Sequence, residues 1–282
     1  MTASQSVAGS SSNLRQRVTT ALLLAPLVVA AILYLPRELF SLLLGAIVAG
    51  GGWEWAAMAR LSARGAFLAV LVALLLATWF LLRWPVALPL LLLASLAWWL
   101  VAAAWVVRYP ASARYWSGSR RLRAAAGFLL LVPPWGALVA LHGAGAQGPW
   151  LVLLLMLLIW GADSGAYFAG RRWGRERLAP RVSPGKSWQG LWGGLAVALL
   201  VALFSMALFP VEIENQLFFI MLCMITVLFS VLGDLTESMF KREAGMKDSG
   251  DLLPGHGGLL DRIDSLTAAA PVFVLGTMEV CL

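Results

Sequence analysis

The chain has 282 residues, 61% of them hydrophobic and 12% charged, with a formal net charge of +7 and a mean hydropathy of +0.83. A soluble domain carries about 25% charged and about 45–50% apolar residues, so the polar surface here is too small for a water-soluble globule, and disorder and a disulfide scaffold are excluded with it. The basic excess lies between apolar runs, which marks it as membrane topology rather than nucleic-acid binding, and no nucleic acid is expected as a partner.

A helix crossing the hydrocarbon core needs roughly 20 apolar residues. Nine such runs follow in chain order: 18–35, 39–59, 66–82, 85–107, 125–141, 149–169, 190–209, 217–240 and 263–281. They are continuous, rich in Leu and Ala, and lack barrel-type alternation, so the expected fold class is an all-α polytopic membrane bundle. The first run follows Arg15 and Arg17 and could pass for a signal peptide. No small-residue cleavage site stands out and eight further runs follow, which favours a retained span. With the N-terminus in the cytoplasm, 19 of the 21 Lys and Arg residues fall on the cytoplasmic side and only Arg37 and Arg83 on the other, as the positive-inside rule requires. Cys223 and Cys281 sit in apolar runs as small hydrophobes, and no Cys/His cluster suggests zinc.

The chain divides by polar content. Residues 1–145 read as packing spans whose loops carry basic residues and little else; residues 146–282 gather groups with catalytic potential at the cytoplasmic ends of spans. Asp163 lies inside the run 149–169, where a carboxylate is costly unless paired, metal-bound or facing a polar cavity. The stretch from Arg181 to Trp188 holds Ser183, Pro184, Gly185 and Lys186, which predicts a structured turn able to offer an amine and hydroxyls to phosphate oxygens. At the end of the eighth run, Asp234, Ser238 and Lys241 fall at i, i+4 and i+7 on one helical face, and Glu237 with Lys241 offers a purely structural pair. The loop containing Gly255, His256, Gly257 and Gly258 allows close backbone approach to a ligand and feeds a helix bearing Asp261, Arg262 and Asp264. Carboxylates for a hard divalent cation, cations for phosphates and a glycine loop between them imply phosphoryl or nucleotidyl transfer at the cytoplasmic face.

The run Ser238-x-x-Lys241-Arg242, four residues, Lys247-Asp248, then Pro254-x-His256-Gly257-Gly258-x-x-Asp261-Arg262-x-Asp264 resembles the signature of phosphatidate cytidylyltransferases, with every fixed position filled. The segments Ala162-Asp163-Ser164 and Ser183-Pro184-x-Lys186-x-Trp188 also look like that family. The resemblance implies attack of phosphatidate on CTP, giving CDP-diacylglycerol and pyrophosphate. It implies Mg2+, with a second metal or a monovalent cation left open. Asp234 and Asp261 are then the expected metal ligands, and Asp264 is a further ligand or an orienter of Arg262. Asp234, Lys241, Asp261 and Arg262 form the expected catalytic set. Arg242 and Lys247 are expected on phosphates and Ser238 as a hydroxyl donor. Ser183 and Lys186 would close over the nucleotide or lipid head, Gly257 and Gly258 would form the cradle, and His256 and Asp163 are further substrate-side candidates.

The expected location is a bacterial inner membrane, multi-pass, with the site facing the cytoplasm and the bilayer holding the lipid tails. A homodimer is expected because the N-terminal spans lack catalytic groups and need something to pack against. The pattern D-G-x-x-A-R of CDP-alcohol phosphatidyltransferases is absent. A polyprenol kinase and a transporter remain the rival readings, to be separated by whether cytidylate reaches the lipid.

Overall fold

The computed structural model describes residues 24–208, 215–250 and 257–278. Among these, the helices in chain order are α1 (Leu24–Tyr34), α2 (Arg37–Met58), α3 (Arg64–Leu81), α4 (Ala87–Val107), the single-turn α5 (Ala113–Trp116), α6 (Arg120–His142), α7 (Gly148–Trp173), α8 (Trp188–Leu208), α9 (Gln216–Ala244) and α10 (Asp264–Thr277). Seven of them, α2 to α4 and α6 to α9, are long and apolar enough to cross a membrane. The chain is an all-α membrane protein. Of the remaining predicted spans, 18–35 is described only from Leu24, and 263–281 only to residue 278, where the 14-residue α10 covers its start. Arg15, Arg17 and Cys281 lie outside the described residues.

The helix ends follow from local chemistry. The Asn215 side chain accepts from the Phe218 N–H at 3.0 Å to open α9, and Ser119 does the same for Leu122 at the start of α6. At the far end of α9, Gly245 takes φ 72°, and the Met246 N–H bonds back to the Lys241 carbonyl at 2.8 Å. Glycine alone enters that left-handed conformation without steric cost, so the helix stops there and the chain turns away. Both α7 and α9 run about a turn beyond the apolar stretch, which places Arg171, Arg172, Lys241 and Arg242 on helices rather than in loops. The predicted turn at 181–188 is the second arm of a hairpin, with β1 (Arg177–Ala179) antiparallel to β2 (Ser183–Ser187).

α7 and α8 pack backbone to backbone. A Cβ at Gly194 would lie 2.9 Å from the Ala162 carbonyl, and one at Gly193 would strike Ala169. Such small-residue seams let membrane helices gain dispersion contacts where burial from water supplies no driving force. α10 is buried along nearly its whole described length, held among α4, α6, α7 and α9. One core gathers Leu154, Phe219 and Phe273; a second gathers Trp55, Trp99, Trp116 and Leu130.

Three long-range bonds collect the arginine-rich turns at one end of the bundle. Arg60 Nη2 donates to the Ala244 carbonyl at 3.0 Å. Trp55 Nε1 donates to the Arg123 carbonyl at 3.0 Å. Arg242 Nε donates to the Val182 carbonyl at 3.1 Å, fastening the hairpin to α9.

Candidate active site at the arginine-rich end

The last turns of α9 carry the charged column. Ser238 Oγ donates to Asp234 Oδ1 at 3.2 Å, and the other oxygen of Asp234 meets Lys186 Nζ from β2 at 2.8 Å. One turn on, Lys241 reaches Glu237 Oε2 at 3.0 Å and Asp261 Oδ1 at 2.5 Å. Asp234 with Ser238 and Glu237 with Lys241 are thus both i,i+4 pairs of α9, and Lys241 also links α9 to the motif loop. Gly233 makes the close approach to α10 possible: a Cβ there would collide with the Asp264 backbone carbonyl. Asp264 consequently lies against Glu237 and within electrostatic range of Asp234. Asp163 on α7 is within range of both Lys186 and Asp234. Among the described residues it forms no ion pair with a neighbouring arginine, and Arg171 donates to Tyr167 Oη.

Asp261 is the most heavily bonded carboxylate of the motif. Besides Lys241, its Oδ2 accepts from the Ser249 N–H at 3.0 Å and the Gly258 N–H at 2.9 Å. Burial alone would push this carboxyl up, but the Lys241 hydrogen bond, the two backbone donors and the lysine's charge outweigh it and hold the group below its usual range. Gly257 sits at φ 79° with Asp261 Oδ2 beneath it.

Sequence reasoning missed Glu54 on α2. It is 3% exposed and accepts from the N–H groups of Leu259 and Leu260 and from Ser249 Oγ. The signal was present: an acidic residue inside an apolar run from the half of the chain taken as packing spans.

The remaining candidates fall around this centre. Ser183 is half-buried at the start of β2, Lys247 is exposed beyond α9, and Arg262 is exposed in the turn before α10. His256 lies outside the described residues.

Among the described residues, no three His, Cys, Asp or Glu side chains converge as a ready-made cage. Among the described residues nothing donates a hydrogen bond to the buried Glu237 Oε1, which lies beside Asp264 and near Asp261. An excess of hard oxygen acceptors without a complete cage fits Mg2+, which binds through one or two carboxylates and leaves the other positions to water and substrate phosphates.

Fold and site together define an integral membrane protein with a mixed acidic and basic centre at one end of a helical bundle. The sequence pattern of the cytidylyltransferase family matches residues 15–278, and the chain belongs to that family. It is 46% identical to the phosphatidate cytidylyltransferase of Pseudomonas aeruginosa over 264 residues, covering 92% of this chain and 95% of the relative. With the Haemophilus influenzae phosphatidate cytidylyltransferase it shares 42% identity over 279 residues, covering 92% and 97%. The Bacillus subtilis relative of the same name matches 118 residues at 44% identity, 41% of this chain.

Proposed function

We propose that the chain transfers cytidylate from CTP to phosphatidate, yielding CDP-diacylglycerol and pyrophosphate, at the cytoplasmic face of an inner membrane. A phosphate oxygen of phosphatidate bonds to the α-phosphorus of CTP, and the bond from that phosphorus to the bridging oxygen of pyrophosphate breaks. The phosphomonoester is already anionic near neutral pH and needs no strong base. The barrier is mutual repulsion, so catalysis is alignment and charge neutralisation. The observation that carries this reading is the meeting of Lys186, Asp234, Lys241, Asp261 and Asp264 from three separated segments at the basic end of the bundle.

Asp234 and Asp261 would hold Mg2+, with Asp264 as a third donor; a second metal or a monovalent cation is compatible with the surplus oxygens. Bound there, the ion supplies positive charge to the phosphate oxygens and the departing pyrophosphate. Lys186 and Lys241, each bridging a carboxylate, can turn toward substrate oxygens. Arg242, Arg262 and Lys247 add cationic charge around them, and Ser183, Ser238 and the Gly257-Gly258 amides add donors. His256 and Asp163 complete the proposed substrate side.

The lipid reading has its own support. A slot of about 580 Å³ opens between the end of α4 and the start of α8, floored by α9 and roofed by the hairpin. Val107, Val231 and Leu232 give it apolar walls, Arg181 stands in its lining, and the lining residues Val182 and Leu235 are chain neighbours of Ser183 and Asp234. An apolar trough with a guanidinium leading to a cationic centre suits an anionic lipid whose tails stay in the bilayer. Nine spans with a cytoplasmic N-terminus suit the distribution of basic residues, and a homodimer through the N-terminal spans belongs to the same proposal. The test uses purified protein in detergent with phosphatidate, Mg2+ and cytidine-labelled CTP. Label should enter the lipid and stop doing so in EDTA; transfer of the γ-phosphate alone, or no CTP consumption, would replace this reading with a kinase or a transporter.

A further inference from the structure

Glu54 has no cationic partner among the described salt bridges. Its Oε1 accepts from the Leu259 N–H at 2.9 Å, and its Oε2 from the Leu260 N–H at 2.8 Å and Ser249 Oγ at 3.0 Å. These donors flank the glycine loop, one before it and two after it. Ser249 Oγ in turn accepts from the Asp261 N–H at 3.3 Å, and the Ser249 N–H holds Asp261 Oδ2. A buried carboxylate satisfied only by neutral donors is expensive compared with an apolar side chain of similar size. Two glycines are shaped around it: a Cβ at Gly250 would lie 2.6 Å from Glu54 Oε1, and one at Gly258 would lie 2.7 Å from Oε2.

We infer that Glu54 is a positioning residue for the transfer reaction: from α2 it clamps both ends of the glycine loop and so fixes the direction of Asp261. This rests on the reading of the site given above. The carboxylate is the side chain that can do this. Its two oxygens accept three bonds and need donate none, whereas an amide would turn an N–H toward a donor. Groups that orient metal ligands change metal affinity or activity by about 10–100-fold when altered, and that is the scale of effect Glu54 should have without touching substrate.

The experiment compares Glu54→Gln, Glu54→Asp and Ser249→Ala with the parent protein in detergent. Glu54→Gln should keep its helix content. Its Leu259 and Leu260 amides should exchange with solvent about tenfold faster while α7 and α8 are unchanged. Its half-saturating Mg2+ concentration and its KM for CTP should rise about tenfold or more. Glu54→Asp, retaining the charge with a shorter reach, should fall between, and Ser249→Ala should shift the same quantities in the same direction by less. Parental exchange at Leu259 and Leu260 would overturn the inference. So would a lower yield of folded protein with parental KM and Mg2+ dependence, because that is what a merely structural residue gives. If the parent protein makes no CDP-lipid, the reaction assignment fails instead, and amide exchange still reports on the clamp.

Discussion

Lys186 and Asp234 meet at 2.8 Å across the gap between the β-hairpin and α9, with their side chains 25% and 31% exposed. A pair this accessible contributes only about 0–1 kcal/mol to stability, so its value lies in the positions it fixes. Lys186→Ala should leave the thermal midpoint within a few degrees of the parent while lowering kcat/KM by at least about tenfold, a loss of about 1.4 kcal/mol of transition-state stabilisation. Unchanged kinetics would remove Lys186 from the site.

Lys241 behaves differently because it is almost enclosed and serves two carboxylates at once. Removing one partner of a buried pair costs about 3–5 kcal/mol. Lys241→Met should therefore be poorly stable and inactive. Adding Glu237→Gln should restore part of the stability, since one of the two stranded carboxylates is then neutral, but none of the activity. Denaturation and turnover measured on the same preparations separate the two effects.

Asp234→Asn and Asp261→Asn each remove one proposed metal donor and keep the shape. Each should raise the Mg2+ concentration needed for half-maximal activity by about tenfold or more, in line with lost ligand affinity. Mg2+ titration of folded variants is the measurement, and parental Mg2+ dependence in both would exclude these residues as ligands.

Gly258→Ala places a methyl group against Ser249 Oγ, Glu54 and the Gly250 amide. Overpacking of this kind costs about 1–3 kcal/mol. Because the clash is with Glu54 and Ser249 themselves, the cost should be smaller in a Ser249→Gly background. Strict additivity in that double-mutant cycle would show that the strain lies elsewhere.

Val231→Trp would fill the slot beside the hairpin without touching a charged residue of the site. It should depress turnover of long-chain phosphatidate several-fold more than that of a short-chain phosphatidate, with KM for CTP unchanged, since loss of apolar burial scales with chain length. Equal losses on both lipids would mean that the tails lie elsewhere.

Much of this could be read from the chain itself. Apolar runs set the helices, helical spacing put Asp234, Ser238 and Lys241 on one face, and the family resemblance implied that Asp261 joins Asp234. Charged residues at the ends of runs concealed how far α7 and α9 extend, because a hydropathy argument stops where the side chains turn polar although the backbone bonding does not. The hairpin at 177–187 is fastened to α9 by Arg242 on the Val182 carbonyl, a contact no local pattern encodes. Glu54 was hidden for a similar reason: two of its three partners are backbone amides far along the chain, and backbone amides carry no residue identity to search for.

Arg60, held at a positive φ of 52°, bonds the last carbonyl of α9, so the turn that follows α2 finishes α9. Cutting the polypeptide in the loop between α6 and α7 would then leave the downstream fragment with a frayed α9 terminus. Expressing the two fragments together in one cell should restore what neither holds alone, and complementation of split halves becomes a direct assay for how firmly the early helices are built into the working machine.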